Sequence, residues 1–178
     1  MRGYSPDDLE QIPLASQEPY SFDPDAADNV VIDALGIDRQ SYRYVGQGKI
    51  YTAEAHITTM RSEGFVNCSA FIMRAATGDT FAHFWPTVSD LKMEEFLERQ
   101  RQDTAPKQAV WVYGTNSESP GFEPLMAKGY YGDITTRAIN IDSGSTWWGA
   151  VFDSVTGDLS LFTRKPTQSK LTYHLFDN

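Results

Sequence analysis

The residues of this chain that could do covalent chemistry are its single cysteine, Cys68, and the next histidine along the sequence, His83. A thiol becomes a nucleophile when it loses its proton, and an imidazole can take that proton near neutral pH. Cys68 stands at a strand entry after a predicted loop at residues 61–64, where backbone N–H groups can be free to bind an oxyanion. Free cysteine is also among the most buried residue types, so an inert, packed Cys68 is the alternative.

Two β-runs joined by turn residues must position this pair. Residues 69–85 contain an apolar run, turn residues at 76–79 and a return run that carries His83. A turn of that length would place residues 71–72 opposite His83, and Cys68 would then lie about 10–13 Å further along the strand. Contact between the two side chains therefore requires a bulge, a tighter turn, or a chain that curls back before the first run.

Most of the remaining chain is predicted to form strands. They are expected at residues 42–45, 49–59, 108–113, 134–141, 146–153, 158–163 and 171–176. Helices are expected at residues 25–35, after Pro86 and at residues 122–128. Many strands and few helices, without regular alternation, predict an α+β fold of packed, mostly antiparallel β-sheets, β-sandwich-like, with two or three flanking short helices. Residues 1–40 are expected to form an N-terminal extension with a short helix, and residues 41–178 a single domain.

The composition narrows the functional classes. The chain has 178 residues, of which 40% are hydrophobic and 22% charged, and these proportions are typical of one globular domain. Its net charge of −9 repels phosphate backbones, so nucleic acid is not an expected partner. The single cysteine excludes an internal disulfide and a multi-cysteine zinc site. Without an apolar signal region or a membrane-length apolar run, a cytoplasmic protein is expected, with signal-free export as the alternative.

The motifs around the cysteine occur in a recognisable order. Gly64-Phe65-Val66-Asn67-Cys68 is followed by an apolar run, a turn and Ala82-His83-Phe84-Trp85-Pro86, then by a helix, a strand ending at Gly114 and a late hairpin. This order resembles that of the chemotaxis receptor glutamine deamidases. The same order of cysteine and histidine is similar to that of bacterial toxins of the cytotoxic necrotizing factor type. The likeness covers about residues 49–163.

The resemblance implies packed β-sheets with flanking helices and a reaction in which the side-chain amide of a protein glutamine is hydrolysed to glutamate and ammonia. Cys68 would be the nucleophile and His83 its base. Ser62 stands six residues before the cysteine, where the chemotaxis deamidases have an assisting threonine. Backbone N–H groups of Asn67 and Ser69 would bind the oxyanion. The implied partner is a protein substrate, and the implied reaction uses no metal or other cofactor.

Two other functions fit the same residues. In the first, the chain is a non-enzymatic protein-interaction module with Cys68 in its core and aromatic side chains such as Trp85, Tyr131 and Trp148 at the contact surface. In the second, it is a cysteine peptidase or an acyltransferase that uses the same pair.

Residues 65–67 are Phe-Val-Asn, whereas the deamidases have small residues there. The sequence leaves the substrate, the third catalytic member and the oligomeric state open.

Overall fold

A computed structural model of the chain describes residues 8–20, 27–65, 68–84, 98, 105–114, 134–141, 149–162 and 168–177. Within these ranges the chain forms eleven strands and one helix, α1 (Asp28–Ala34). The strands are β1 (Ser16–Tyr20), β2 (Tyr42–Tyr44), β3 (Ile50–Thr52), β4 (Thr59–Glu63), β5 (Ser69–Ala75), β6 (Gly78–Phe84), β7 (Lys107–Gly114), β8 (Ile134–Ile141), β9 (Gly149–Asp153), β10 (Asp158–Phe162) and β11 (Gln168–His174).

The strands form two sheets. One has six strands in the order β1-β11-β10-β9-β4-β2, and the other has five in the order β3-β6-β5-β7-β8. Both sheets are mixed, because β2 runs parallel to β4 in the first and β7 runs parallel to β8 in the second. The remaining pairs are antiparallel.

The predicted α+β class, with two or three flanking helices, is wrong, because the fold is mostly β. Residues 25–35 do contain the predicted helix as α1, but it is only seven residues long. The helices expected after Pro86 and at residues 122–128 lie outside the described residues, apart from the helical Glu98. Both sides of the main core are formed by strand faces rather than by helices, so the fold is mostly β and not α+β.

The main core lies between the two sheets. Side chains alternate between the faces of a strand, so every second residue of β5 points inward. Ala70 and Ile72 of β5 therefore pack with Phe81 of β6 and with Phe152 and Leu161 of the six-stranded sheet in one buried cluster. The opposite face of the five-stranded sheet carries a separate buried cluster.

Helix α1 covers part of the outer face of the six-stranded sheet. Its Val31 packs on Phe162 in a small buried cluster. Arg61 of β4 points to the same face, is fully buried, and donates to Asp28 of α1 at 2.7 Å and to Glu63. A buried guanidinium needs such partners, because an unpaired charge in a protein core costs several kcal/mol.

The strand predicted at residues 49–59 is in fact two pieces in different sheets. The chain turns at Glu54 and Ile57, whose backbone groups hydrogen-bond to each other at 3.0 and 3.2 Å. After this turn the chain enters β4, so the expected loop at residues 61–64 is largely a strand. The strand is hard to recognise from its sequence because a charged residue, Arg61, is buried in it beside α1.

The β5–β6 hairpin is tighter than predicted. Ala75 pairs with Gly78, so only residues 76–77 form the turn, and Ala70 is directly opposite His83. Gly78 has a φ of 122°, which side-chain-bearing residues rarely adopt. The expected register, with residues 71–72 opposite His83, is therefore wrong, and the start of β5 comes closer to His83.

The N-terminal segment contacts both sheets. Ile12 N–H donates to the Ala138 carbonyl of β8 at 2.9 Å, and Ala138 N–H donates to the Glu10 carbonyl at 2.9 Å. Further along, β1 pairs with β11 at the edge of the six-stranded sheet. The proposed domain boundary at residue 40 stays a prediction. Within the described ranges, no helix combines the length and the apolar character needed to cross a membrane.

Gly157, in the turn between β9 and β10, tests the packing of this fold. Its φ is 75°, and a Cβ added there would lie 2.7 Å from the Phe176 carbonyl oxygen. We expect Gly157→Ala to lower the free energy of unfolding by about 2–4 kcal/mol, from backbone strain and this contact together. Gly36→Ala is the matched control, since Gly36 has a φ of 67° and nothing within 4 Å of an added Cβ. Chemical denaturation should show a loss of about 1 kcal/mol there, and equal losses would contradict the packing.

Candidate active site

Ser62 of β4 and His83 of β6 meet between the two sheets. The Ser62 Oγ lies 2.7 Å from His83 Nδ1, and both residues are fully buried. The Ser62 hydroxyl also donates a short hydrogen bond to the Val45 carbonyl. A hydroxyl has one proton and a carbonyl can only accept, so the Ser62 oxygen accepts from Nδ1–H. Neutral His83 therefore carries its proton on Nδ1 and keeps a free lone pair on Nε2.

The chain between β2 and β3 holds this pair in place as it passes from one sheet to the other. Val45 N–H donates to the Arg61 carbonyl at 2.8 Å, beside Ser62. Gly48 N–H donates to the His83 carbonyl at 2.9 Å, and His83 N–H donates to the Lys49 carbonyl at 3.1 Å. The crossing segment at residues 45–49 thus binds the backbone on both sides of the Ser62–His83 hydrogen bond.

Burial determines the protonation state of His83. Its side chain has no solvent exposure, and burial lowers the pKa of His83 to about 4, because the protonated imidazole would lose its hydration. The ring of Phe65 stacks on the imidazole, with the ring centroids 3.9 Å apart and an angle of 18° between the planes. At neutral pH His83 is therefore an uncharged base.

The sequence analysis predicted Cys68 as the partner of this base. Cys68 directly precedes β5 and lies two residues before Ala70, which is paired with His83. Cys68 and Ala70 share the cluster between the sheets, and continuing the β5–β6 register by one residue would make Cys68 a diagonal neighbour of His83. Cα atoms in such positions are typically about 7–8 Å apart, which is closer than the separation expected from the sequence.

The thiol and the imidazole do not form a direct hydrogen bond. Among the described residues, no group hydrogen-bonds to His83 Nε2. Cys68 itself is 7% exposed. Hydrogen bonds between catalytic groups are often long before a substrate binds, so a nucleophile and a base can lie in this arrangement. The burial of the thiol is equally compatible with a packed core cysteine.

The other predicted site residues lie apart from the imidazole or outside the described ranges. Ser69 is buried, but its side chain points to the opposite face from Cys68, and its Oγ has no hydrogen-bond partner among the described residues. That the backbone N–H of Ser69 binds the oxyanion stays a prediction. Asn67 lies outside the described residues, as do Trp85, Tyr131 and Trp148.

Three features of the site were missed in the sequence analysis. They are the Val45 carbonyl, the pairing of residues 48–49 with His83, and the stacked ring of Phe65. The sequence predicts a break between the strands at residues 42–45 and 49–59, but a break does not reveal which sheets its two sides join. No pattern in the sequence indicated that Phe65 would stack on the imidazole.

A cavity of about 550 Å³ lies on the outer face of the six-stranded sheet, beside the end of α1. Its walls are mostly polar and include Glu18, Asp38 and Lys170. Neither Ser62 nor His83 lines it, so the cavity is separate from the candidate active site. In the part of the chain that the structure describes, no group of three His, Cys, Asp or Glu side chains is placed to hold a metal ion.

The protonation state of His83 can be observed directly by ¹⁵N NMR of the imidazole rings. We expect Nδ1 to be protonated and Nε2 to be free at neutral pH, with protonation of the ring centred near pH 4. His56→Gln and His174→Gln assign the signals of the other two histidines. A protonated Nε2 at neutral pH, or a midpoint near 6.5, would contradict the geometry.

Stability should also depend on His83. The pKa of His83 is lower in the folded protein than in the unfolded chain, so the unfolded chain binds more protons between about pH 6.5 and 4. Above about pH 6.5 the titration of His83 does not reduce the free energy of unfolding. That free energy should fall by about 3 kcal/mol as the pH drops through this window. His83→Gln should lack this component, which is measured as the difference between the two pH profiles. Parallel profiles would show that His83 does not titrate as described.

No protein-family model matches this chain, and a search of curated proteins finds no relative.

Proposed function

We propose that this protein is a cysteine-dependent amidohydrolase that deamidates glutamine side chains of a protein substrate. The observation that supports this most is the hydrogen bond from His83 Nδ1 to Ser62 Oγ. It leaves Nε2 as a free base on the face that carries Cys68. The choice of a glutamine amide follows from the motif order around Cys68 and His83, which is similar to that of the glutamine deamidases.

The first half of the proposed reaction forms a thioester. His83 Nε2 takes the thiol proton while Cys68 Sγ attacks the carboxamide carbon, which produces a tetrahedral oxyanion. Backbone N–H groups near Asn67 and Ser69 are the predicted donors to that oxyanion. The protonated His83 then gives its proton to the amide nitrogen, the carbon–nitrogen bond breaks, and ammonia leaves.

The second half restores the enzyme. His83 takes a proton from water, the hydroxide oxygen attacks the thioester carbon, and the carbon–sulfur bond breaks. The proton returns to Cys68, and the product is a glutamate side chain. In both halves the Ser62 oxygen accepts the Nδ1–H of the imidazolium, and the Val45 carbonyl keeps the hydroxyl oriented for that task.

The proposed roles can be tested by ammonia release from denatured casein and from a library of glutamine-containing peptides. We expect Cys68→Ala to reduce ammonia release to background, because the nucleophile is lost. Ser62→Ala should reduce kcat by about 10²-fold, because the base loses its orientation. Ser62→Thr keeps the hydroxyl and should stay within about tenfold of the wild type. Ser160→Ala, on the outer face, is the matched control and should change nothing.

The outcome of that assay also separates the related activities. Full activity in Cys68→Ala would disprove a cysteine mechanism. A cleaved peptide chain would identify a peptidase, and a transferred acyl group would identify an acyltransferase. Either product would contradict deamidation while leaving the roles of Cys68 and His83 in place.

Alkylation by iodoacetamide separates the enzyme from a non-enzymatic module with a packed Cys68. In the proposed enzyme, His83 assists removal of the thiol proton, so His83→Gln should slow alkylation at neutral pH by about tenfold or more. In a packed thiol, the reagent reacts only when the protein opens, and the rate follows the stability of each variant. Phe71→Leu, in the other buried cluster, therefore serves as a destabilised control. Faster alkylation in both variants would disprove the assisted thiol.

A further inference from the structure

Phe65 is the side chain that contacts a flat face of the His83 ring. The two rings are nearly parallel, at 18°, with centroids 3.9 Å apart, and Phe65 has no solvent exposure. Phe65 follows Gly64, whose φ is 85° and whose carbonyl accepts a hydrogen bond from Gln47 Nε2 at 3.4 Å. The turn that places this aromatic ring is thus tied to the crossing segment that holds His83.

The other contacts of His83 hold its backbone and one nitrogen of its ring. Gly48 and Lys49 fix its backbone, and Ser62 fixes the position of Nδ1. Rotation about the bond between Cβ and the imidazole has broad minima and a hydrogen bond tolerates a range of angles, so the bond to Ser62 alone holds the direction of Nε2 only loosely. A parallel aromatic ring at van der Waals distance does restrict that rotation, because tilting the imidazole would drive it into its neighbour.

Phe65 is also linked to the nucleophile through the chain. It lies three residues before Cys68, and three residues span at most about 10 Å. The segment that carries the thiol therefore also carries the ring that covers the base.

We infer that Phe65 is a positioning residue for the proposed reaction: it fixes the plane of the His83 imidazole, keeps Nε2 directed along the face that carries Cys68, and shields one face of the ring from water. This inference rests on the proposed function for its catalytic consequence, but the ring geometry can be tested without it. The titratable side chains that share the cluster between the sheets are Cys68, just before β5, Tyr51 of β3 and Tyr173 of β11. Lys49 precedes β3, and Arg61 of β4 points to the outer face of its sheet, where it pairs with Asp28 and Glu63. Burial is the cause of the low pKa of His83, so removing the shielding ring should raise that pKa.

The experiment compares Phe65→Met with Phe71→Met. Phe71 is also buried and also stacks on an aromatic ring, that of Trp111, at 5.5 Å and 13°, but on the opposite face of the same sheet. Methionine keeps most of the buried volume and removes the flat ring in both variants. We expect Phe65→Met to raise the His83 midpoint, followed by NMR, by about half a pH unit from its starting value near 4, because a thioether chain covers less of the imidazole face than a parallel ring. Phe71→Met should leave the midpoint unchanged.

The kinetic part uses ammonia release from the peptide library. Phe65→Met should lower kcat by about tenfold with KM nearly unchanged, because a misdirected base slows chemistry rather than binding. An unchanged His83 midpoint in Phe65→Met would overturn the role of Phe65. Phe65→Leu gives the same comparison if methionine does not fold well. If the wild type releases no ammonia, the proposed function fails, and the NMR comparison still decides whether Phe65 controls His83.

Discussion

The site depends on one hydroxyl that joins the two sheets. Ser62 belongs to the six-stranded sheet and His83 to the five-stranded sheet, and the Ser62 oxygen accepts from His83 while its proton goes to Val45. The hydroxyl is thereby satisfied as donor and acceptor inside a region with no solvent exposure. Val45 is the first residue of the segment that crosses between the sheets. The two hydrogen bonds of Ser62 therefore link the packing of the sheets to the tautomer of His83.

That tautomer decides what the imidazole can do. With Nδ1 committed to Ser62, only Nε2 can exchange a proton, and burial makes the protonated ring costly. A base of this kind holds a proton briefly and returns it, so the proposed proton transfers accompany bond formation at sulfur and bond cleavage at nitrogen. A stable pair of thiolate and imidazolium is not favoured in this environment, because it would require His83 to remain charged.

The sequence predicts much of this architecture and misses the parts that depend on long-range contacts. The strand at residues 134–141 is predicted at its full length as β8, because the run is rich in β-branched residues. β4 was predicted as a loop, since the burial of Arg61 depends on α1, which lies far from it in sequence. The resemblance indicated Ser62 as a site residue but did not indicate its hydrogen bond with His83. The predicted register of the β5–β6 hairpin was wrong, because a two-residue turn cannot be distinguished from a four-residue one by composition.

The most direct measurement is a crystal structure of the protein after reaction with a chloroacetamide analogue of the glutamine side chain. The analogue carries a carboxamide that stays attached to the sulfur it alkylates. The account predicts an adduct on Cys68, with its amide nitrogen within about 2.6–3.2 Å of His83 Nε2, or joined to it through one water, and with Nδ1 still bound to Ser62. An unmodified Cys68, or an adduct that points away from His83, would contradict it.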